Sequence, residues 1–163
     1  MPLLLLLFTF FSQCSLPTQE AQILQGKVVR IADGDTITIL DSLNQSVRIR
    51  LYGIDCPEKG QDFSQVAKGF TTKLCAQETV RVEVKDVDHY GRIVGIVYLD
   101  DGTEVNLALL QAGLAWHYTA YDQSEHYRQA EIEARNSKQG LWIQGNAQPP
   151  WKFRQMKRTG QRR

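Results

Sequence analysis

Apolar and polar positions alternate through much of the first half of the chain. "ILQGKVVRIA" from Ile23, "TITIL" from Thr36 and "SVRIRLYGI" from Ser46 are short, rich in β-branched residues and close to a two-residue period, the signature of half-buried strands. Turn-forming residues separate them, Asp33-Gly34-Asp35 first and "DSLNQS" second, which predicts an antiparallel meander. The period then changes. "DFSQVAKGFTTKLCA" sets Phe63, Val66, Ala67, Phe70 and Leu74 at helical spacing, so a helix with one buried face is expected there. Two more strands follow, "TVRVEV" and "RIVGIVYL", joined by "KDVDHYG". A second helix is expected from an N-cap at Asn106 to a C-cap at Gly113, and a third from about Ser124 to Lys138, stopped by Gly140. Five strands with a helix after the third predict an α+β fold, a five-stranded Greek-key barrel of the oligonucleotide-binding (OB) type with three helices.

The ends of the chain differ from this middle. "MPLLLLLFTFFSQCSLP" carries an apolar run from Leu3 to Phe11, too short to span a bilayer but fitting the hydrophobic stretch of an export signal. Residues 1–20 are read as a removed signal peptide, although no Lys or Arg precedes Leu3, and a buried N-terminal strand or helix is the competing reading. The expectation is a protein exported to the periplasm or the exterior, without a stable membrane span and acting as a monomer; a lipid anchor on Cys14 stays open. Residues 21–148 form the expected domain. Residues 149–163 form a basic tail, after Pro149-Pro150, with Lys152, Arg154, Lys157, Arg158, Arg162 and Arg163 and no acid.

Charge matters here through its distribution, because the net is only +1 over 163 residues while acids outnumber bases between Ala21 and Pro150. The tail is then a patch that attracts polyanions or a solvated, disordered terminus, and composition does not choose between them. Cys56 and Cys75 are expected to stay unpaired, and no CxxC or Cys/His cluster supports zinc.

Chemistry concentrates in three short stretches. "DGDT" holds Asp33 and Asp35, "RLYGIDCPE" holds Arg50, Asp55 and Glu58, and "DHYGR" holds Arg92. Carboxylates are hard oxygen ligands suited to Ca2+ or Mg2+, and arginines complement an anion that such a cation would also bind. Each stretch alone is a turn or a surface ion pair more often than a site. Their occurrence together on successive strands of one barrel points to a phosphodiester.

These stretches, in this order, resemble the thermonucleases typified by staphylococcal nuclease, and the resemblance runs from about Ile23 to Trp142, including "QAEIEARNSKQGLW". It implies a Ca2+-dependent nuclease acting on DNA and RNA with little sequence specificity, cutting internally. It implies Asp35 and Asp55 as Ca2+ ligands, joined by the main-chain carbonyl of Cys56, where family members often carry threonine or alanine. Arg50 and Arg92 would grip the scissile phosphate, Glu58 would contact the attacking water, and Asp33 would stand behind the metal ligands. The segment from Glu58 to Phe70 is shorter than in the type member and lacks a lysine-rich loop. In "AWHYTAY", Tyr121 is the best-aligned nucleotide contact, with Tyr118 and Trp116 behind it, and packing into the core competes for Trp116.

Overall fold

The computed structural model describes residues 22–160, so the apolar leader and Arg162 and Arg163 lie outside the described residues. Strand β1 (Ile23–Asp33) is long enough to serve two neighbours: Ile23 to Lys27 pair with β5 (Thr79–Val87), and Lys27 to Asp33 pair with β2 (Thr36–Leu40). Register shifts between Val28 and Arg30 and between Ile31 and Asp33 bend it around the barrel, as bulges do. β2 continues antiparallel into β3 (Ser46–Leu51), which lies parallel to β6 (Ile93–Tyr98), and β6 returns antiparallel to β5. The order β1-β2-β3-β6-β5 closes on itself, which gives the expected five-stranded OB barrel.

The inward residues are those the alternation marks: Val28, Ile37, Ile39, Ile49, Leu51, Val80, Val82 and Val97 are all essentially inaccessible. Helix α1 (Ser64–Cys75) closes one end through Ala67, Thr71 and Cys75. Val66 is not on that face. It is 54% exposed, because the 67-71-75 stripe repeats every four residues and leaves Val66 about 100° round the helix. Cys56 and Cys75 are both buried and free.

Helix α2 (Val105–Gln111) starts one residue before the expected cap. Glu104 occupies the cap position and Asn106 lies inside the first turn, fully buried. Its side chain serves the barrel instead: Oδ1 accepts from Val97 N at 3.0 Å, and Nδ2 donates to Tyr52 O at 2.9 Å and Gly95 O at 3.3 Å. Helix α3 (Glu125–Asn136) lies within the expected span, begins just after Ser124, whose hydroxyl donates to Asp122 Oδ2 and makes no capping bond, and buries Tyr127, Ala130 and Ala134. A two-stranded patch pairs β4 (Ile54–Asp55) with β7 (Trp116–His117) across the barrel mouth. Trp116 is buried there, edge-on to Trp142 at 5.1 Å, so it is a core residue.

The tail is where expectation and structure part. A fourth helix, α4 (Pro150–Arg158), follows Pro149, with proline in the first helical position where its missing N–H costs nothing. Among the described residues no helix is long and apolar enough to cross a membrane.

Replacing Asn106 by Ala should leave the Val97 N–H and the Tyr52 carbonyl buried without partners, at a cost on the order of 1–3 kcal/mol for each group so stranded. Urea unfolding of Asn106→Ala against the parent chain checks this, and an unchanged midpoint would remove Asn106 as the tie between α2 and the barrel.

Candidate functional site

The site grows out of strand register. Thr36 on β2 lies opposite Arg50 on β3, so the Arg50 side chain leaves the sheet beside Asp35, the residue just ahead of Thr36. The β1–β2 turn that carries Asp35 is held from two sides. Asp35 N donates to Asp33 Oδ1 at 3.2 Å, and Thr71 Oγ1 of α1 donates to Gly34 O at 2.6 Å. Gly34 has no room for a side chain: a Cβ there would sit 2.8 Å from Cys56 Sγ and 2.9 Å from Ala67 Cβ. That closeness brings the Cys56 backbone to the turn, and Cys56 N donates to Asp35 Oδ2 at 2.5 Å.

Asp55 arrives by a different route. Its pairing with Trp116 in the β4–β7 patch presses its side chain to 1% exposure. Arg50 then spans both carboxylates, with Nη1 on Asp35 Oδ1 and Nη2 on Asp55 Oδ1 at 2.7 Å. Burial works against the Arg50 charge, yet Asp35 and Asp55 more than offset it and hold the guanidinium above its ordinary range. Burial pushes Asp55 upward against the opposing pull of Arg154 and Arg50. Asp33 is pushed up to about 6, by burial first and then by the neighbouring charge of Asp35.

Glu58 joins the group through the loop after β4. Its N–H donates to Gln61 Oε1 at 2.8 Å, and its carboxylate, 37% exposed, faces the other acids across a residue from the tail. Arg154 of α4 donates through Nη2 to Asp55 Oδ2 at 2.9 Å and through Nη1 to Glu58 Oε1 at 2.7 Å and Asp55 Oδ1 at 3.2 Å. The motifs contain no hint of this arginine. A weak signal existed in the tail, a proline at a helix start with Phe153 and Met156 three positions apart behind it.

Three expected members, Arg92, Tyr118 and Tyr121, stand outside the cluster. Arg92 precedes β6, next to the strand of Arg50, but its Nε pairs with Asp88 Oδ2 of its own turn at 2.7 Å. Its terminal nitrogens are not part of that pair. Tyr118 and Tyr121 meet edge to face at 5.0 Å, Tyr121 is 68% exposed, and Trp151 of α4 stacks flat on Tyr118 at 5.2 Å.

Whether these groups suit a metal is a matter of donors. Among the described residues no group of three or more His, Cys, Asp or Glu side chains is arranged to hold a metal ion. Asp35 and Asp55 do share one guanidinium, and two hard carboxylates completed by carbonyl, water or phosphate oxygens fit a divalent cation of the Ca2+ or Mg2+ kind. The Cys56 thiol does not fit: burial pushes its ionisation well above the ordinary value, which leaves it a neutral neighbour.

Comparison with known proteins agrees with this geometry. A family model described as staphylococcal nuclease homologue matches residues 48–144. The chain is 40% identical to an uncharacterized endonuclease of Escherichia coli over 156 residues, 96% of this chain and 97% of that one. It is 41% identical to a micrococcal nuclease of Shigella flexneri over 140 residues, 80% of each chain. A probable staphylococcal-like nuclease of Oryza sativa subsp. japonica matches at 42% over 72% of this chain and 35% of its own. Identity of this extent, over a barrel whose rim gathers the quoted acids and Arg50, settles descent: the chain belongs to the staphylococcal nuclease family and is a nuclease by class.

Proposed function

We propose that the chain is a Ca2+-dependent nuclease that hydrolyses internal phosphodiester bonds of DNA and RNA with little sequence preference. The observation that carries this reading is Arg50 bridging Asp35 and Asp55, with Glu58 at the open side of the same cluster. Asp35 and Asp55 are the residues that would hold the cation, and a cation there supplies neutralisation of the charge that builds on the phosphate.

The side chains divide the remaining work. Arg50 is preorganised, since its carboxylate partners fix it before substrate arrives, and its outer edge complements a non-bridging phosphate oxygen. Arg92 is held by Asp88 through Nε alone, so both terminal nitrogens stay available for the phosphate. Asp88 is then a positioning residue. Glu58 is the most exposed of the three clustered carboxylates and can orient a water or take its proton. The exposed Tyr121 ring offers stacking to a base, worth about 1–3 kcal/mol and tolerant of sequence, whereas the Tyr118 face is covered by Trp151. Stacking suits low specificity, because every base has a π-face.

Release of acid-soluble nucleotides from denatured DNA and from RNA, in Ca2+, in Mg2+ and in excess chelator, tests the reading. Glu58→Gln should lower kcat by about 10²–10⁴ if Glu58 is the proton acceptor. Arg92→Ala should lower it by about 10²–10³. DNA binding without cleavage under every metal would instead favour a binding barrel.

A pH dependence follows from Asp33. Its folded value of about 6 lies above the ordinary 3.8, so the fold binds this proton more tightly than the unfolded chain does. Stability from that source is full below about pH 4 and is lost as pH rises through 6. A cation beside Asp35 favours ionised Asp33, so Ca2+ affinity should climb between about pH 4 and 6 and level above it. Calorimetric titration from about pH 4 to about pH 7 should show that rise in the parent and its loss in Asp33→Asn.

A further inference from the structure

Helix α4 sits on the acids that the proposed function needs free, and its own contacts show how it is kept there. Trp151 stacks on Tyr118 with an interplanar angle of 2°. Gln61 Nε2 donates to Gln148 O at 3.0 Å, just ahead of the helix, and Lys157 Nζ donates to Lys59 O at 3.3 Å. Phe153 lies over Gly60, its Cζ 3.9 Å from where a Cβ would stand. The loop that carries Glu58 is therefore the seat of the helix.

Arg154 uses this seat to fill the carboxylate cluster. Both oxygens of Asp55 are taken by it, Oδ1 at 3.2 Å and Oδ2 at 2.9 Å, and Oδ1 also receives Arg50. Burial opposes the Arg154 charge, but the hydrogen bonds to Asp55 and Glu58 outweigh that and strengthen its hold on the proton. Three carboxylates touch two guanidinium groups here, which leaves one net negative charge. With Arg154 lifted away the cluster carries two, the charge that balances a divalent cation.

We propose that α4 is a self-inhibitory strap, in which Arg154 occupies Asp55 and Glu58 and competes with the divalent cation for that carboxylate. The inference rests on the nuclease reading and concerns the regulation of the same site. The strap is reversible by construction: a nine-residue helix has little stability of its own, and Arg154 remains 35% exposed. Lysine and arginine elsewhere on the helix, Lys152 and Arg158, are exposed, so the phosphates of a bound strand have basic residues to draw on.

The test is Ca2+ titration by calorimetry together with cleavage of single-stranded DNA over a range of Ca2+ concentrations, using the full chain, Arg154→Ala, Arg154→Lys and Trp151→Ala. Arg154→Ala should bind Ca2+ about tenfold more tightly and reach half-maximal cleavage at correspondingly lower Ca2+. Arg154→Lys should fall between it and the parent. Trp151→Ala should shift in the same direction by loosening the seat without touching an acid. Cleavage by the parent, with Ca2+ affinity in Arg154→Ala unchanged or weakened, would overturn the strap and leave the nuclease reading intact. Absence of both Ca2+ binding and cleavage in the parent and in Arg154→Ala would overturn both.

Discussion

The ion cluster around Arg50 is the constraint on which the rest of the structure turns. A guanidinium sequestered between two acids, one of them at 1% exposure, costs several kcal/mol in lost hydration and repays it only if the geometry is held well. Every nearby feature contributes to holding it. The Thr36 to Arg50 register aims the arginine, the β4–β7 pairing fixes Asp55, and the close approach at Gly34 places the Cys56 N–H on Asp35. Removing any one partner leaves a buried charge without its complement, so these residues are constrained by stability as well as by chemistry.

The same cluster explains why the barrel is well suited to the task. Its hydrophobic interior is filled by the inward positions of β1, β2, β3, β5 and β6 together with residues of α1, α2 and α3, while Asp35, Asp55 and Arg50 gather at the rim. Asp35 and Arg50 come from strand ends of the meander, whereas Asp55 and Glu58 come from the chain that leaves it. Strands β2 to β4 thus set Asp35, Arg50 and Asp55, a loop sets Glu58, and the β5–β6 turn with Arg92 and the helix with Arg154 approach from outside.

What was legible in the sequence is what local periodicity encodes. Two-residue alternation located the five barrel strands, and the resemblance carried by the motifs grouped Asp35, Arg50, Asp55 and Glu58 into one expected site. Asn106 misled because a good capping residue also makes a good buried amide, and only the neighbouring strand decides that its oxygen serves Val97. Val66 misled because the buried face of α1 is a narrow stripe of Ala67, Thr71 and Cys75, and Val66 falls outside it. The tail misled most. Its charge pattern left a polyanion-attracting patch and a solvated terminus equally open and held no helix, and the partners that seat α4, Tyr118, Lys59 and the acids, lie from about thirty to about a hundred residues back in the chain.

The parallel β3–β6 ladder and the Asp55 to Trp116 pair have a further meaning for how the molecule comes into being. β1, β2 and β3 can pair as they leave the ribosome, but the barrel cannot close until β5 and β6 follow, and Asp55 has no partner strand until Trp116 and His117 appear. Contacts of such long sequence separation form late and slowly. A nascent chain therefore carries all the charged residues of the site long before it carries the site, and its chemistry is withheld until nearly the whole domain has been made.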